Sequence, residues 1–154
     1  MQARVSMLFA VMCFFGVLSF AAESPFMGTW KLNEAKSKIA PGAQKNHTVV
    51  YEAAGDNTKI TVDGTSGKGE AVHNEWTGKF DGKEYPVTGD ATSDSRSYKQ
   101  VDSHTLAMTM KKGGKVTQTG QIVVAPDGKS RTVTTTTIAD DGKKSTSTVV
   151  YDKQ

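Results

Sequence analysis

Val72, Asn74, Trp76, Gly78 and Phe80 alternate with His73, Glu75, Thr77 and Lys79 along one short stretch of the chain. Successive side chains of a strand point to opposite faces, so this period of two predicts a strand with one inward and one wet face. Phe26, Gly28, Trp30 and Leu32 make a second such row, and Leu106, Met108 and Met110 a third. Between the rows stand turn signals: Gly55-Asp56-Asn57, Asp63-Gly64, Asp81-Gly82, Gly113-Gly114, Asp127-Gly128 and Asp141-Gly142. Asp-Gly and Gly-Gly tolerate the positive φ of tight hairpin turns. The intervening segments are rich in Thr, Val, Tyr and Ile, which suit a pleated, half-buried surface.

The pattern predicts strands near 26–33, 46–54, 57–63, 70–81, 84–88, 95–102, 104–112, 115–125, 129–139 and 144–153. Short, evenly spaced strands joined by tight turns predict an all-β protein: an antiparallel up-and-down meander closed into a barrel of about 8–10 strands. One stretch reads differently. Glu34-Ala35-Lys36-Ser37-Lys38-Ile39 suits a turn or two of helix ended by Pro41-Gly42, either lidding one end of a barrel or forming a plain surface connection.

The first residues have another pattern. Arg4 precedes an uncharged, mostly apolar run over 5–20, followed by the small residues of Ser19-Phe20-Ala21. The run is about 16 residues, short of the ~20 that cross a bilayer. It reads as a cleavable signal peptide over 1–21, leaving a 22–154 domain that is secreted or periplasmic and without a membrane span. The single cysteine, Cys13, falls inside this leader. The mature chain then has no disulfide, cysteine nucleophile or thiolate metal ligand, and burial and strand pairing must hold it together. About 130 residues suffice for one domain with a core.

Charge adds little. The chain carries 19 Lys+Arg against 16 Asp+Glu. Without the leader the balance is about +2. The lysines cluster in turns, as in Lys111-Lys112-Gly113-Gly114-Lys115, where they solubilise hairpins and blunt strand edges. No basic stripe with interleaved aromatics points to nucleic acid. His47, His73 and His104 are far apart in sequence, so no metal site is assigned. There is no Gly-x-Ser-x-Gly elbow, and Gly64-Thr65-Ser66-Gly67-Lys68-Gly69 lacks the spacing of a phosphate loop. No catalytic residue and no cofactor are assigned.

Gly28-Thr29-Trp30-Lys31-Leu32, preceded by Phe26, resembles the opening strand of the calycin superfamily, which contains the lipocalins and the intracellular fatty-acid-binding proteins. A Gly-x-Trp signature marks both. Val149-Val150-Tyr151-Asp152-Lys153 resembles the closing strand of the fatty-acid-binding branch. The resemblance implies a lipocalin-like barrel with Gly28 and Trp30 as its structural signature. This chain departs from both branches. Val149 stands where fatty-acid-binding proteins commonly place an Arg that holds the ligand carboxylate. The segment that would form their helical lid is too short, and the disulfide frequent in lipocalins is missing. The likeness therefore implies a lipocalin-like bacterial secreted protein, without that carboxylate clamp.

Trp30 on an inward face plugs a barrel end with a large apolar surface, and a cation can stack on its indole; Arg131 is a candidate. Trp76, Tyr85, Met108, Met110 and Tyr151 are candidates to line a ligand cavity, with Gln118 and Asn74 as polar groups on inward rows. These residues support a carrier or sequestering protein for a small apolar or amphipathic molecule. Two other readings stay open: a filled barrel acting as an interaction or structural module, and a small-molecule enzyme with its site at the barrel mouth.

Overall fold

A computed structural model describes residues 23–154; the leader, with Arg4 and Cys13, lies outside them. Ten strands run in chain order: β1 (Gly28–Lys38), β2 (Lys45–Ala54), β3 (Asn57–Thr65), β4 (Ala71–Gly78), β5 (Asp81–Thr88), β6 (Ser95–Gln100), β7 (Thr105–Lys112), β8 (Lys115–Val124), β9 (Ser130–Ile138) and β10 (Lys144–Lys153). Each pairs antiparallel with its chain neighbour, and β1 pairs with β10 to close the barrel. The meander is thus the one the alternating pattern predicts, and closure leaves no sheet edge among these strands.

Three local readings are corrected, one of them Asp81-Gly82, which is no turn but the start of β5, where the strand bulges between Asp81 and Glu84 against β6. Glu34–Lys38 is strand, not helix. The chain kinks there through a bulge, with Asn33 opposite Val150 and Lys38 opposite Thr148. Ser37 Oγ donates to Asn33 O at 2.7 Å and accepts from Val150 N at 2.9 Å, satisfying the backbone that the bulge unpairs. Asp63-Gly64 is not a turn either but part of β3. Gly64 is needed for space: a Cβ there would sit 2.1 Å from Lys45 O, where β2 bulges between Asn46 and Thr48. The turn follows instead, with Gly69 N donating to Ser66 O at 2.9 Å.

The inward rows meet in register. Tyr51, Ile60, Trp76 and Val87 form one layer across β2 to β5. Tyr98, Met108 and Gly120 form a separate cross-strand row over β6 to β8. One end of the barrel is packed with rings. Trp76 stacks on Phe80 with centroids 6.3 Å apart, meets Tyr98 edge-on at 4.8 Å and Tyr85 edge-on at 5.7 Å. Phe26 meets Phe80 edge-on at 6.0 Å. Gly78 belongs to this cluster, since a Cβ there would lie 2.6 Å from the Trp76 and Tyr85 rings.

Trp30 is fully buried at the same end, and its Nε1 donates to Phe26 O at 2.9 Å. Gly28 has φ +104, and a Cβ on it would meet the Lys153 side chain at 2.9 Å. The signature glycine therefore serves both backbone conformation and close approach. Lys153 Nζ in turn lies 5.4 Å from the Trp30 ring centre.

Candidate functional site

Above the ring-packed floor the barrel is hollow. A cavity of about 1000 Å³ opens at the end formed by the β1–β2, β5–β6, β7–β8 and β9–β10 connections. The alternation of each strand sets its wall. Val49, Ile60, Val62, Met108, Ile122, Val133 and Val149 supply the apolar lining, and Gln118, Thr135, Thr137 and Ser147 a polar band. Pro41–Gln44, which includes the Pro41-Gly42 pair expected to stop a helix over 34–39, lines the mouth as a strand connection.

The sequence-selected residues divide between floor and cavity. Met108, Met110 and Gln118 line the cavity. Gln118 Nε2 donates to Thr137 Oγ1 at 2.8 Å. Trp76 and Tyr85 belong to the ring cluster and Tyr151 to the floor, so none of the three is among the cavity-lining residues. Asn74 is buried and also lies outside the lining; its Oδ1 and Nδ2 have no hydrogen-bond partner among the described residues. His73 sits on the outer surface, with Nδ1 2.6 Å from Asp63 Oδ1. That hydrogen bond and the charge behind it raise its pKa.

Two arginines that belong to no sequence motif are the most distinctive feature of the cavity wall. Residues 22–154 contain only Arg96 and Arg131, and both line the cavity. Arg96 on β6 and Asp90 in the β5–β6 connection form a buried ion pair. Nη2 to Oδ2 is 2.6 Å, with the two side chains 4% and 3% exposed. Asp90 also accepts from Thr92 N at 2.8 Å, Thr92 Oγ1 at 2.7 Å and Ser93 Oγ. Burial alone would raise the Asp90 carboxyl, but the hydrogen bonds from Ser93 and Arg96 and the Arg96 charge outweigh it and hold it at about 2. Arg96 and Tyr98 occupy alternate positions of one strand, so the period of two that placed Met108 would have placed both inward.

Arg131 on β9 is only 2% exposed. Its guanidinium carbon lies 4.7 Å from the Trp30 ring centre, 4.7 Å from that of Tyr51 and 5.0 Å from that of Tyr151. The predicted stacking of Arg131 on Trp30 is present, and two tyrosines complete the cage. Its Nε and Nη1 are buried without a hydrogen-bond partner among the described residues. Burial pushes the hydroxyls of Tyr98 and Tyr151 up to about 12. Both are therefore neutral donors near pH 7, not phenolate partners for a cation.

No family model and no curated protein matches the chain. Among solved structures it is similar to a redesigned β-barrel, mFAP1, bound to DFHBI. That match has 18% identity and a TM-score of 0.48, covering 84% of this chain and 95% of that one. It is also similar to EF1p2_mFAP2b bound to DFHBI, with 14% identity and a TM-score of 0.47, covering 84% and 94%. The likeness is one of barrel architecture.

Proposed function

We propose that this protein is a lipocalin-like carrier or sequestering protein that binds one small, partly apolar molecule inside its barrel. The carrying observation is the cavity of about 1000 Å³ closed below by the Trp30 floor and open above. Its size is at the upper end of the ~300–1,000 Å³ of small-molecule sites, and its lining joins an apolar wall to an extensive set of polar and charged side chains. A barrel filled throughout, the rival interaction module, has no use for such a space. The enzyme reading needs a proton-transfer group poised near neutrality. Of the two carboxylates lining the cavity, Asp90 is shifted the opposite way and tied to Arg96, and Asp140 stands in the β9–β10 connection at the mouth.

The test uses a neutral dye, so that burial of apolar surface is read without charge. Nile red is expected to bind saturably at one molecule per barrel. Val133→Trp, which fills the cavity from β9, is expected to weaken it at least tenfold, a change of about 1.4 kcal/mol. No saturable binding, or unchanged binding in folded Val133→Trp, would shift the assignment to the interaction barrel.

The reading also places the protein outside the cytoplasm. It rests on the charge-then-apolar pattern of residues 1–21 and on the lack of cysteine after Cys13. Protein recovered from the periplasm or medium is expected to begin at Ala22, within a residue or two, by intact-mass measurement. Full-length chain on membranes would instead mean an anchor.

A further inference from the structure

We propose that the ligand of this cavity is an uncharged amphiphile with a polyhydroxylated head, as in a glycoside, held at the barrel mouth by inward side chains of β8, β9 and β10. This deepens the carrier reading and rests on it.

Strand register sorts the wall of these three strands into tiers. Ile122, Val133 and Val149 lie side by side in one cross-strand row. Gly120, Thr135 and Ser147 form the next row toward the mouth, and Gln118, Thr137 and Ser145 the one after. Rows on one face are two residues apart, so about 13 Å of strand separates Val133 from Thr137. All of these residues except Gly120 line the cavity. On the floor side this wall is apolar, and on the mouth side it presents four hydroxyls and an amide.

The upper tiers keep hydrogen-bonding capacity to spare. Gln118 Nε2 donates to Thr137 Oγ1 at 2.8 Å, which leaves the Gln118 carbonyl to accept and the Thr137 hydroxyl to donate. Ser147 Oγ accepts from Ala40 N at 3.0 Å and has its own proton to donate. Hydroxyls and amides both donate and accept. Each hydroxyl of a sugar has the same double character. A carboxylate only accepts and an ammonium only donates, so either would use part of this capacity. An alkyl chain would strip water from these groups and return no hydrogen bond. A polyol head displaces that water and reproduces its bonds.

The charges in the wall favour a neutral head as well. Arg96 already holds Asp90 at 2.6 Å. Lys112, Lys115 and Asp140 stand at the β7–β8 and β9–β10 connections, with both signs present. Arg131 lies one row below Val133, and its Nε and Nη1 are buried out of a ligand's reach. The order of tiers then sets the pose. The ligand enters tail first, and its tail lies against Ile122, Val133 and Val149 above the closed floor. Its head stays among Gln118, Thr135, Thr137 and Ser147.

The experiment measures displacement of Nile red from the full mature chain by n-octyl β-D-glucoside, 1-octanol and octanoate, each as monomer. The three share one tail and differ in the head. The glucoside is expected to act at a concentration at least tenfold below that of octanol, and octanoate to act no better than octanol. Thr135→Val with Thr137→Val removes two hydroxyls and keeps β-branched side chains in β9. It is expected to weaken the glucoside at least tenfold and to leave octanol within about threefold. Thr135→Ser with Thr137→Ser retains both hydroxyls and is expected to retain the preference. Gln118→Met, at the open mouth, is expected to weaken the glucoside selectively too, and serves if the double valine variant does not fold. Equal action of glucoside and octanol, octanoate as the strongest of the three, or a preference that survives in the folded variants overturns the inference. Each of these outcomes, in a protein that takes up Nile red, leaves the carrier reading standing. Failure of Nile red itself removes that reading and this inference together.

Discussion

Trp30→Ala is expected to lower the free energy of unfolding by about 3–5 kcal/mol, the range of large aromatic truncations in cores. Three separate losses place it high in that range. The indole is fully buried, so its removal leaves a cavity at the closed end. The Nε1 bond to Phe26 O disappears, and with it the tie that holds the segment before β1 under the barrel. Arg131 and Lys153 both lose a ring face. Urea unfolding followed by far-ultraviolet circular dichroism measures the change without relying on tryptophan emission. Trp30→Phe keeps a ring but not the N–H, and is expected to fall between wild type and Trp30→Ala. A loss below about 1 kcal/mol in Trp30→Ala would mean that the floor does not hold the barrel.

The barrel was largely legible because its cue is local. Alternation along Val72–Phe80 or Leu106–Met110 is visible within nine residues, and Gly55, Gly113, Gly114, Gly128 and Gly142 all take the positive φ their turns require, whereas the positive φ of Gly82 serves a bulge in β5. Where sequence reading failed, a distant strand decided the outcome. Glu34–Ile39 has nothing local against a helix, but Ser37 and Lys38 find hydrogen-bond and pairing partners on β10, more than a hundred residues away. Gly64 looks like a turn residue until Lys45 O is seen to press on it. The site was legible in part for the same reason. Parity puts Trp76, Met108 and Tyr151 inward alike, but it gives no height along the barrel axis. Height separates Met108 in the cavity wall from Trp76 in the ring cluster. The ion pair needed both parity and loop geometry. Arg96 is readable as inward beside Tyr98, whereas Asp90 lies in a connection with no period to place it.

Removing the Asp90 carboxylate is expected to cost about 3–5 kcal/mol at pH 7, because Asp90→Asn leaves the Arg96 guanidinium buried without its counter-ion. The Asp90 carboxyl is held at about 2 in the folded chain, below the ~3.9 of an unfolded aspartate. The unfolded state therefore binds the proton first as pH falls. The stabilisation is fully present above about pH 5, is lost progressively between about 4 and 2, and amounts to roughly 2 kcal/mol. Wild-type stability by urea unfolding is expected to drop by that amount over this window, beyond the contribution of the surface carboxylates. Asp90→Asn is expected to start lower at pH 7 and to show a flatter acid limb, since its amide does not titrate. Asp90→Leu with Arg96→Met removes both charges and is expected to recover much of the loss, as buried pairs replaced by apolar groups do. The readout also reaches the cavity. Asp90 gathers Thr92, Ser93 and Arg96 and so fixes the β5–β6 connection at the mouth. Nile red affinity is therefore expected to fall in Asp90→Asn even under conditions where the barrel remains folded. Equal pH profiles for wild type and Asp90→Asn would show that Asp90 is not the carboxylate that titrates, and that the pair does not hold the mouth.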